Sequence, residues 1–181
     1  IFNFLKRNSI PMKEAMFYKH LEDDKVRCFL CWRKCAIEKG KTGFCRVRKN
    51  IDGKLYSLIY GKIISAALDP IEKKPFYHFF PGSKSFSIAF TGCTLACKFC
   101  CNYEISQEWQ SYGEEKSAEE ITLMAKSIAH GISFTYTEPT LGVEFLIEIA
   151  KLAKKEKLYT NIVTNGYTTC EAARKIAKHI D

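Results

Sequence analysis

The sequence has no apolar run that could cross a membrane: runs such as Leu58-Ile59-Tyr60 and Phe145-Leu146-Ile147 fall far short of the roughly 20 residues needed. No secretory leader is visible either: Ile1-Phe2-Asn3-Phe4-Leu5-Lys6-Arg7 lacks the charged-then-apolar order and a small-residue cleavage site. An initiator Met is also missing, so a trimmed or incomplete N-terminus is expected. Without an export signal, a disulfide framework is not expected, and the cytoplasm is the expected compartment. The histidines are few, and His20, His78, His130 and His179 show no metal-ligand spacing among themselves. There is no internal repeat or low-complexity segment. No run of Lys and Arg alternates with aromatics, so the formal charge of +8 reads as a solvated basic surface and nucleic acid is not an expected partner.

The 181 residues suffice for one domain, or one plus a small module, with a buried core. A 46% apolar and 27% charged composition is that of a globular chain. Cysteine is abundant, at nine residues, and eight of them lie between positions 28 and 101 in two groups spaced by two or three residues. That spacing suits metal chemistry. Metal-bound thiolates at both groups would lower the net charge to about +5.

A helical lead-in is expected around Lys13–Leu21, before the first cysteine group. Residues 46–83 read as hairpin and loop. Asp52-Gly53 separates Arg46–Ile51 from Lys54–Tyr60 and supplies the positive φ angles of a tight turn. The stretch from Asp69-Pro70 to Pro81-Gly82 carries three prolines and is expected to be irregular. In it Asp69, Glu72, Lys73 and Lys74 read as exposed loop charges. His78 is either substrate-side or part of a packed aromatic segment.

From Ser85 strands alternate with helices. Phe86–Thr91, Ile132–Thr137 and Tyr159–Thr164 read as strands, the last with Tyr159 in the core. Ser117-Ala118-Glu119-Glu120 is a capping box opening a helix with Ile121, Met124, Ala125 and Ile128 on one face. Leu141–Lys157 is a second helix, with Phe145, Leu146, Ile149, Leu152 and Ala153 inward. Thr168-Thr169-Cys170-Glu171 caps a third, using Ala173, Ile176, Ala177 and Ile180. Three consecutive strand–helix units predict an α/β fold with a parallel sheet, as an open doubly wound sheet or part of a (βα) barrel. The expected organisation is a Cys-bearing module and hairpin over residues 1–83 and the α/β core over 84–181.

The linker from Gly92 to Lys116 is far longer than the usual βα loop of about two to six residues. Loops at the carboxyl ends of parallel strands are where such folds place chemistry. This one contains Cys93-x3-Cys97-x2-Cys100. Three thiolates can hold three corners of an iron–sulfur cubane and leave the fourth iron without a protein ligand, an open position that makes a metal site reactive. A zinc knuckle completed by a distant ligand is the bland alternative. Cys101 reads as a bystander.

Cys93, Cys97 and Cys100, with aromatic Phe99 before the last, resemble the radical S-adenosylmethionine (SAM) signature after a first barrel strand. The resemblance implies a 4Fe–4S cluster whose open iron binds the methionine part of SAM. It also implies reductive cleavage to a 5′-deoxyadenosyl radical for hydrogen abstraction, with Phe99 beside the adenine. Thr135-Tyr136-Thr137-Glu138-Pro139 resembles the family's Gly-Gly-Glu-Pro-like turn, which receives the SAM amino group, although Tyr136 and Thr137 replace the glycines. Thr164-Asn165-Gly166 resembles the Thr-Asn-Gly turn of glycyl-radical activases. Glu138, Thr164 and Asn165 are therefore the expected cofactor-binding residues.

Cys28-x2-Cys31-x3-Cys35-x9-Cys45 is a second four-sulfur set, able to close around a zinc ion or an electron-transfer cluster; buried thiols are its bland reading. Together with Cys28-Phe29-Leu30-Cys31 come Gly43-Phe44-Cys45-Arg46-Val47-Arg48, Gly53-Lys54-Leu55-Tyr56-Ser57-Leu58, Asp69-Pro70-Ile71-Glu72-Lys73-Lys74-Pro75 and Asn102-Tyr103-Glu104-Ile105-Ser106-Gln107. This succession resembles the AmmeMemoRadiSam-system radical SAM enzymes, relatives of the pyruvate formate-lyase activating enzymes. Cys101 and Tyr103 depart from that family's expected Gln and Trp. The resemblance implies SAM and an electron donor such as flavodoxin or ferredoxin as partners, with a protein substrate in a glycyl-radical-activase-like reaction. It also implies a barrel with more units than the three visible, so that a fragment ending here would be inactive alone. The competing reading is a non-catalytic zinc- or Fe–S-binding interaction module.

Overall fold

In a computed structural model that describes residues 12–181, the N-terminal part is made of short antiparallel strands. β1 (Lys13–Glu14), β2 (Tyr18–His20), β3 (Val26–Cys28) and β4 (Ala36–Ile37) precede β5 (Arg48–Ile51) and β6 (Lys54–Ser57). They form two sheets, ordered β2-β3-β4 and β1-β6-β5. The expected helical lead-in is thus replaced by two strands. Lys13 pairs opposite Ser57 and Tyr18 opposite Cys28, and Phe17 between them takes a φ of 61°, which a helix cannot contain. The hairpin forms as expected, with Asp52 at φ 50° and Gly53 at φ 78°.

β7 (Lys62–Ile63) and β8 (Ser65–Pro70) follow, then β9 (Lys84–Ala89). β8 was expected as loop, yet it pairs antiparallel with β9 from Ser65 opposite Ala89 to Pro70 opposite Lys84. Its alternation is inverted: Ala66 and Leu68 are exposed while Asp69 is buried. An edge strand of this kind gives no clean apolar stripe.

After β9 come α1 (Tyr103–Ser106), β10 (Glu114–Glu115), α2 (Ala118–Ile128), β11 (Gly131–Phe134), α3 (Val143–Lys155), β12 (Tyr159–Ile162) and α4 (Cys170–Ala177). The main sheet has the order β12-β11-β9-β8, with β9, β11 and β12 parallel. β10 pairs with β7 outside it. The three strand–helix units are those expected, but the sheet is mixed and open, and no barrel closes among the described residues.

Capping follows the sequence. Ser117 accepts from the Glu120 N–H, Glu120 returns to the Ser117 N–H, and Thr169 accepts from the Ala172 N–H. Ile121 and Ala125 of α2 are buried, whereas Met124 and Ile128 lie exposed, so the inward stripe is narrower than expected. Phe145, Leu146, Ile149 and Ala153 of α3 point inward, with Leu152 packed partly buried. In α4 the buried pair is Ala172 and Ile176, while Ala173 and Ala177 border an open cleft shared with Ile162 and Ile180. β12 is the sheet edge here, so that side of α4 has no strand to cover it.

Alternation gives the sheet two unlike faces. Phe86, Ile88, Ile132 and Phe134 pack with Ile121, Phe145 and Ile149, each such side chain contributing about 1.5–3 kcal/mol by burial. Ser85, Ser87 and Ser133 occupy the alternate positions, with the Ser85 and Ser133 hydroxyls 2.5 Å apart. The N-terminal strands are fastened to α3 through a fully buried ion pair between Arg48 and Glu144. Glu144 also accepts from the Met16 N–H at 2.6 Å, and Arg48 donates to the Met16 carbonyl at 2.8 Å.

Candidate functional site

The loop after β9 begins at Gly92, whose φ is 94° and whose missing Cβ leaves room for Val47 Cγ1 and the Cys45 carbonyl at about 3.0 and 3.1 Å. Cys93, Cys97 and Cys100 are all half-buried, whereas Cys101 is exposed. The Cys93 sulfur accepts from the Leu95 N–H at 3.4 Å and lies 3.5 Å from Asn165 Nδ2. Cys100 sulfur and Ser106 Oγ are 3.4 Å apart. Burial pushes the Cys93 thiol up, the Leu95 N–H opposes that, and Glu138 and Cys100 add to the rise. Among the described residues no three His, Cys, Asp or Glu side chains are gathered so as to hold a metal ion.

The ends of β11 and β12 meet this loop through Glu138. Its buried carboxylate accepts from the Thr140 N–H and hydroxyl, the Thr164 hydroxyl and the Asn165 N–H, at 2.7–3.0 Å. A carboxylate offers about four lone-pair positions, so these donors use them up. Asn165, fixed in this way, reaches back to Thr94 Oγ1 at 3.0 Å and to the Cys93 sulfur. Glu138 and Thr164 thus hold Asn165, and Asn165 makes the hydrogen bonds to the cysteine loop. Glu138 acts as a strut between strand ends, with no free acceptor position. Phe99 is 90% exposed at the loop tip, next to Cys100.

A cleft of about 570 Å³ opens beside these strand ends, lined by Lys73, Lys74, Asn102, Tyr136, Thr164 and Asn165, with Cys101 at its edge. Its wall holds residues that sequence reasoning missed. Asp69 accepts from Lys73 at 2.8 Å, Lys74 at 2.7 Å and the Tyr136 hydroxyl at 2.5 Å, and both Asp69 and Lys74 are 5% exposed. They are not the exposed loop charges they resemble in sequence. Burial alone would raise the Asp69 carboxyl, but the two ammonium groups and the phenol hold it well below the usual carboxylate range. Burial, then Asp69, pushes the Tyr136 phenol up to about 12. Tyr136 sits at φ 69°, its carbonyl accepts from Asn102 at 2.6 Å, and Lys74 lies over its ring. The available signal was the spacing of Asp69 from Lys73 and Lys74 across a proline-started turn. His78 is exposed and does not border this cleft.

The other four cysteines come together as well. Cys28, Cys31, Cys35 and Cys45 are free and line one small cavity with Arg33, Arg48 and Thr94. Burial pushes the Cys45 thiol up to about 12, and raises Cys31.

Comparison with known proteins decides what this arrangement belongs to. The model of the radical SAM superfamily matches residues 87–181, which takes in the end of β9, the cysteine loop, β11 and β12. The chain belongs to the radical SAM superfamily. It is 42% identical over 168 residues to an uncharacterized protein of Methanocaldococcus jannaschii, covering 91% of this chain and 50% of that one. It is 35% identical over 104 residues to the pyruvate formate-lyase-activating enzyme of Clostridium pasteurianum, covering 52% of this chain and 41% of the enzyme. The chain thus spans about half the length of the curated relatives it matches. Membership supports an enzyme of the radical SAM type with an α/β core. No helix among the described residues is long and apolar enough to cross a membrane.

Proposed function

We propose that Cys93, Cys97 and Cys100 hold a 4Fe–4S cluster with one open iron, and that the chain contributes the cofactor-binding part of an enzyme of the AmmeMemoRadiSam-system type. Such a cluster, with SAM on its open iron and one electron from a donor such as flavodoxin or ferredoxin, supplies a 5′-deoxyadenosyl radical for hydrogen abstraction. The observation that carries the reading is the convergence of three strand ends on Cys93 through Glu138, Thr164 and Asn165. The donor set fits the group. Three thiols on one loop leave a corner unfilled, and the Leu95 N–H and Asn165 amide lie against a sulfur, where they favour a charged thiolate.

The chain's own residues do the positioning. Glu138 fixes the Thr164-Asn165 turn, so the Asn165 side chain is held against the cysteine loop. Lys73 and Lys74, neutralised in part by Asp69, give the cleft a cationic wall suited to a carboxylate. Phe99 offers an exposed aromatic face for the adenine. The α/β core then acts as part of a (βα) barrel over residues 84–181, with residues 1–83 as its attached module. A glycyl-radical-activase-like reaction on a protein substrate is the activity most in keeping with the activating-enzyme relative.

The test is anaerobic preparation with iron and sulfide, followed by reduction with and without SAM. A brown protein is expected, whose reduced electron paramagnetic resonance (EPR) signal changes on adding SAM and which releases 5′-deoxyadenosine when completed by the rest of its polypeptide. A colourless protein holding only zinc would instead support the non-catalytic interaction module.

A further inference from the structure

The four N-terminal cysteines play no part in the function proposed above, yet they are placed as a site. Cys28 and Cys31 are buried, Cys35 and Cys45 are half-buried, and all four sulfur-bearing residues border one cavity. A fully buried cation borders the same cavity: Arg48 Nη1 is 3.7 Å from the Cys28 sulfur. Arg48 is also paired with Glu144, so it reaches the sulfur as a hydrogen-bond donor and not as an uncompensated charge. The loops that present the sulfurs hold Lys34 at φ 47° and Arg46 at φ 57°, strained positions of a kind that persist where the surroundings enforce them.

Which centre these residues suit follows from donor type and closure. Among the described residues, Cys28, Cys31, Cys35 and Cys45 line one cavity with no carboxylate or imidazole beside them. An all-thiolate set of four suits the four corners of an iron–sulfur cubane. Four protein ligands leave no open iron, so this centre is closed to SAM. It also abuts the cysteine loop. Arg33 Nε donates to the Thr94 carbonyl at 2.6 Å, Thr94 lines the cavity, and a Cβ on Gly92 would meet the Cys45 carbonyl at 3.1 Å.

We propose that Cys28, Cys31, Cys35 and Cys45 hold a second, fully protein-ligated iron–sulfur cluster placed to exchange single electrons with the centre on the cysteine loop. In that exchange the N-terminal cluster is oxidised by one electron and the loop cluster reduced by one, with no bond made or broken. A low-potential one-electron donor re-reduces the first. The exchange rests on the loop holding a cluster; the second cluster itself does not.

The experiment counts iron and acid-labile sulfide in the anaerobically reconstituted protein and in the Cys93→Ala/Cys97→Ala/Cys100→Ala variant, with folding checked by circular dichroism. About eight irons per chain are expected in the parent and about four in the variant, which keeps a reducible EPR signal. A folded variant with zinc, or with no metal, overturns the second cluster. If both proteins hold about four irons, the second cluster stands and the loop reading fails. Should the variant not fold, a parent count of about four, with iron unchanged in Cys28→Ser/Cys31→Ser, overturns the proposal. For the exchange, the fully reduced parent should show spin–spin broadening that either variant lacks. Two unbroadened, simply additive signals would overturn it.

Discussion

The two cysteine groups differ in number, burial and surroundings, and these differences divide their chemistry. The loop carries three half-buried thiols with the exposed Phe99 ring beside them, and the neighbouring Cys101, Thr164 and Asn165 line a cleft of about 570 Å³. The N-terminal group carries four thiols around an enclosed space, next to a buried guanidinium. Three ligands leave one corner of a cubane for a small molecule; four leave none. Each group has a hydrogen-bond donor against one sulfur, the Leu95 N–H at Cys93 and Arg48 at Cys28, so what separates them is access rather than affinity for a soft metal.

The sharpest way to break the comparison is Cys93→Ala/Cys97→Ala/Cys100→Ala, which should abolish every SAM-dependent change in the EPR spectrum while leaving about half the iron. Next is Arg48→Met. It strands buried Glu144 and should cost about 3–5 kcal/mol in denaturant unfolding. Arg48→Met/Glu144→Leu should recover most of that loss. If Arg48→Met leaves stability unchanged, the clamp between the N-terminal strands and α3 is not as described.

Glu138→Ala comes third. It leaves the Thr140 and Asn165 N–H groups unpaired and should cost about 2–4 kcal/mol, with looser SAM binding but an unaltered N-terminal cluster. Equal loss of iron at both groups would erase the distinction between them. Asp69 gives a pH test on the cleft side. Its folded carboxyl is depressed, so its contribution to stability is fully present above the ordinary carboxylate range and is lost as the pH falls below it. Asp69→Asn should flatten that acid limb in thermal unfolding of metal-free protein; an unchanged limb would count against the Lys73–Asp69–Lys74 network. The smallest effect belongs to Phe99→Ala: stability within about 0.5 kcal/mol of the parent, because the ring is exposed, with weaker SAM binding.

Much of this was legible in the sequence where the signal is local. The capping box at Ser117, the N-cap at Thr169, the Asp52-Gly53 turn and the three strand–helix units all depend on residues close along the chain. The convergence of Glu138 and Asn165 on Cys93 could be anticipated because parallel strands bring their carboxyl ends together. What could not be read depends on distant partners. Arg48 and Glu144 are charged residues with nothing in their neighbourhood to predict burial, and each is tolerated inside only through the other. Lys74 and Asp69 look like solvated loop charges until β8 is placed beside β9. The strands around Lys13–Glu14 and Tyr18–His20 are too short for a period-two pattern to outweigh helical spacing. Met124 and Ala173 show the opposite failure: a helical stripe predicts a buried face, but burial also needs a neighbour.

EPR spectroscopy of the dithionite-reduced protein, with and without SAM, tests the division between an open and a closed centre most directly. Two cluster signals are predicted, of which one shifts on adding SAM and disappears in Cys93→Ala/Cys97→Ala/Cys100→Ala while the other is indifferent to SAM. A single signal, or two that respond alike, would contradict it.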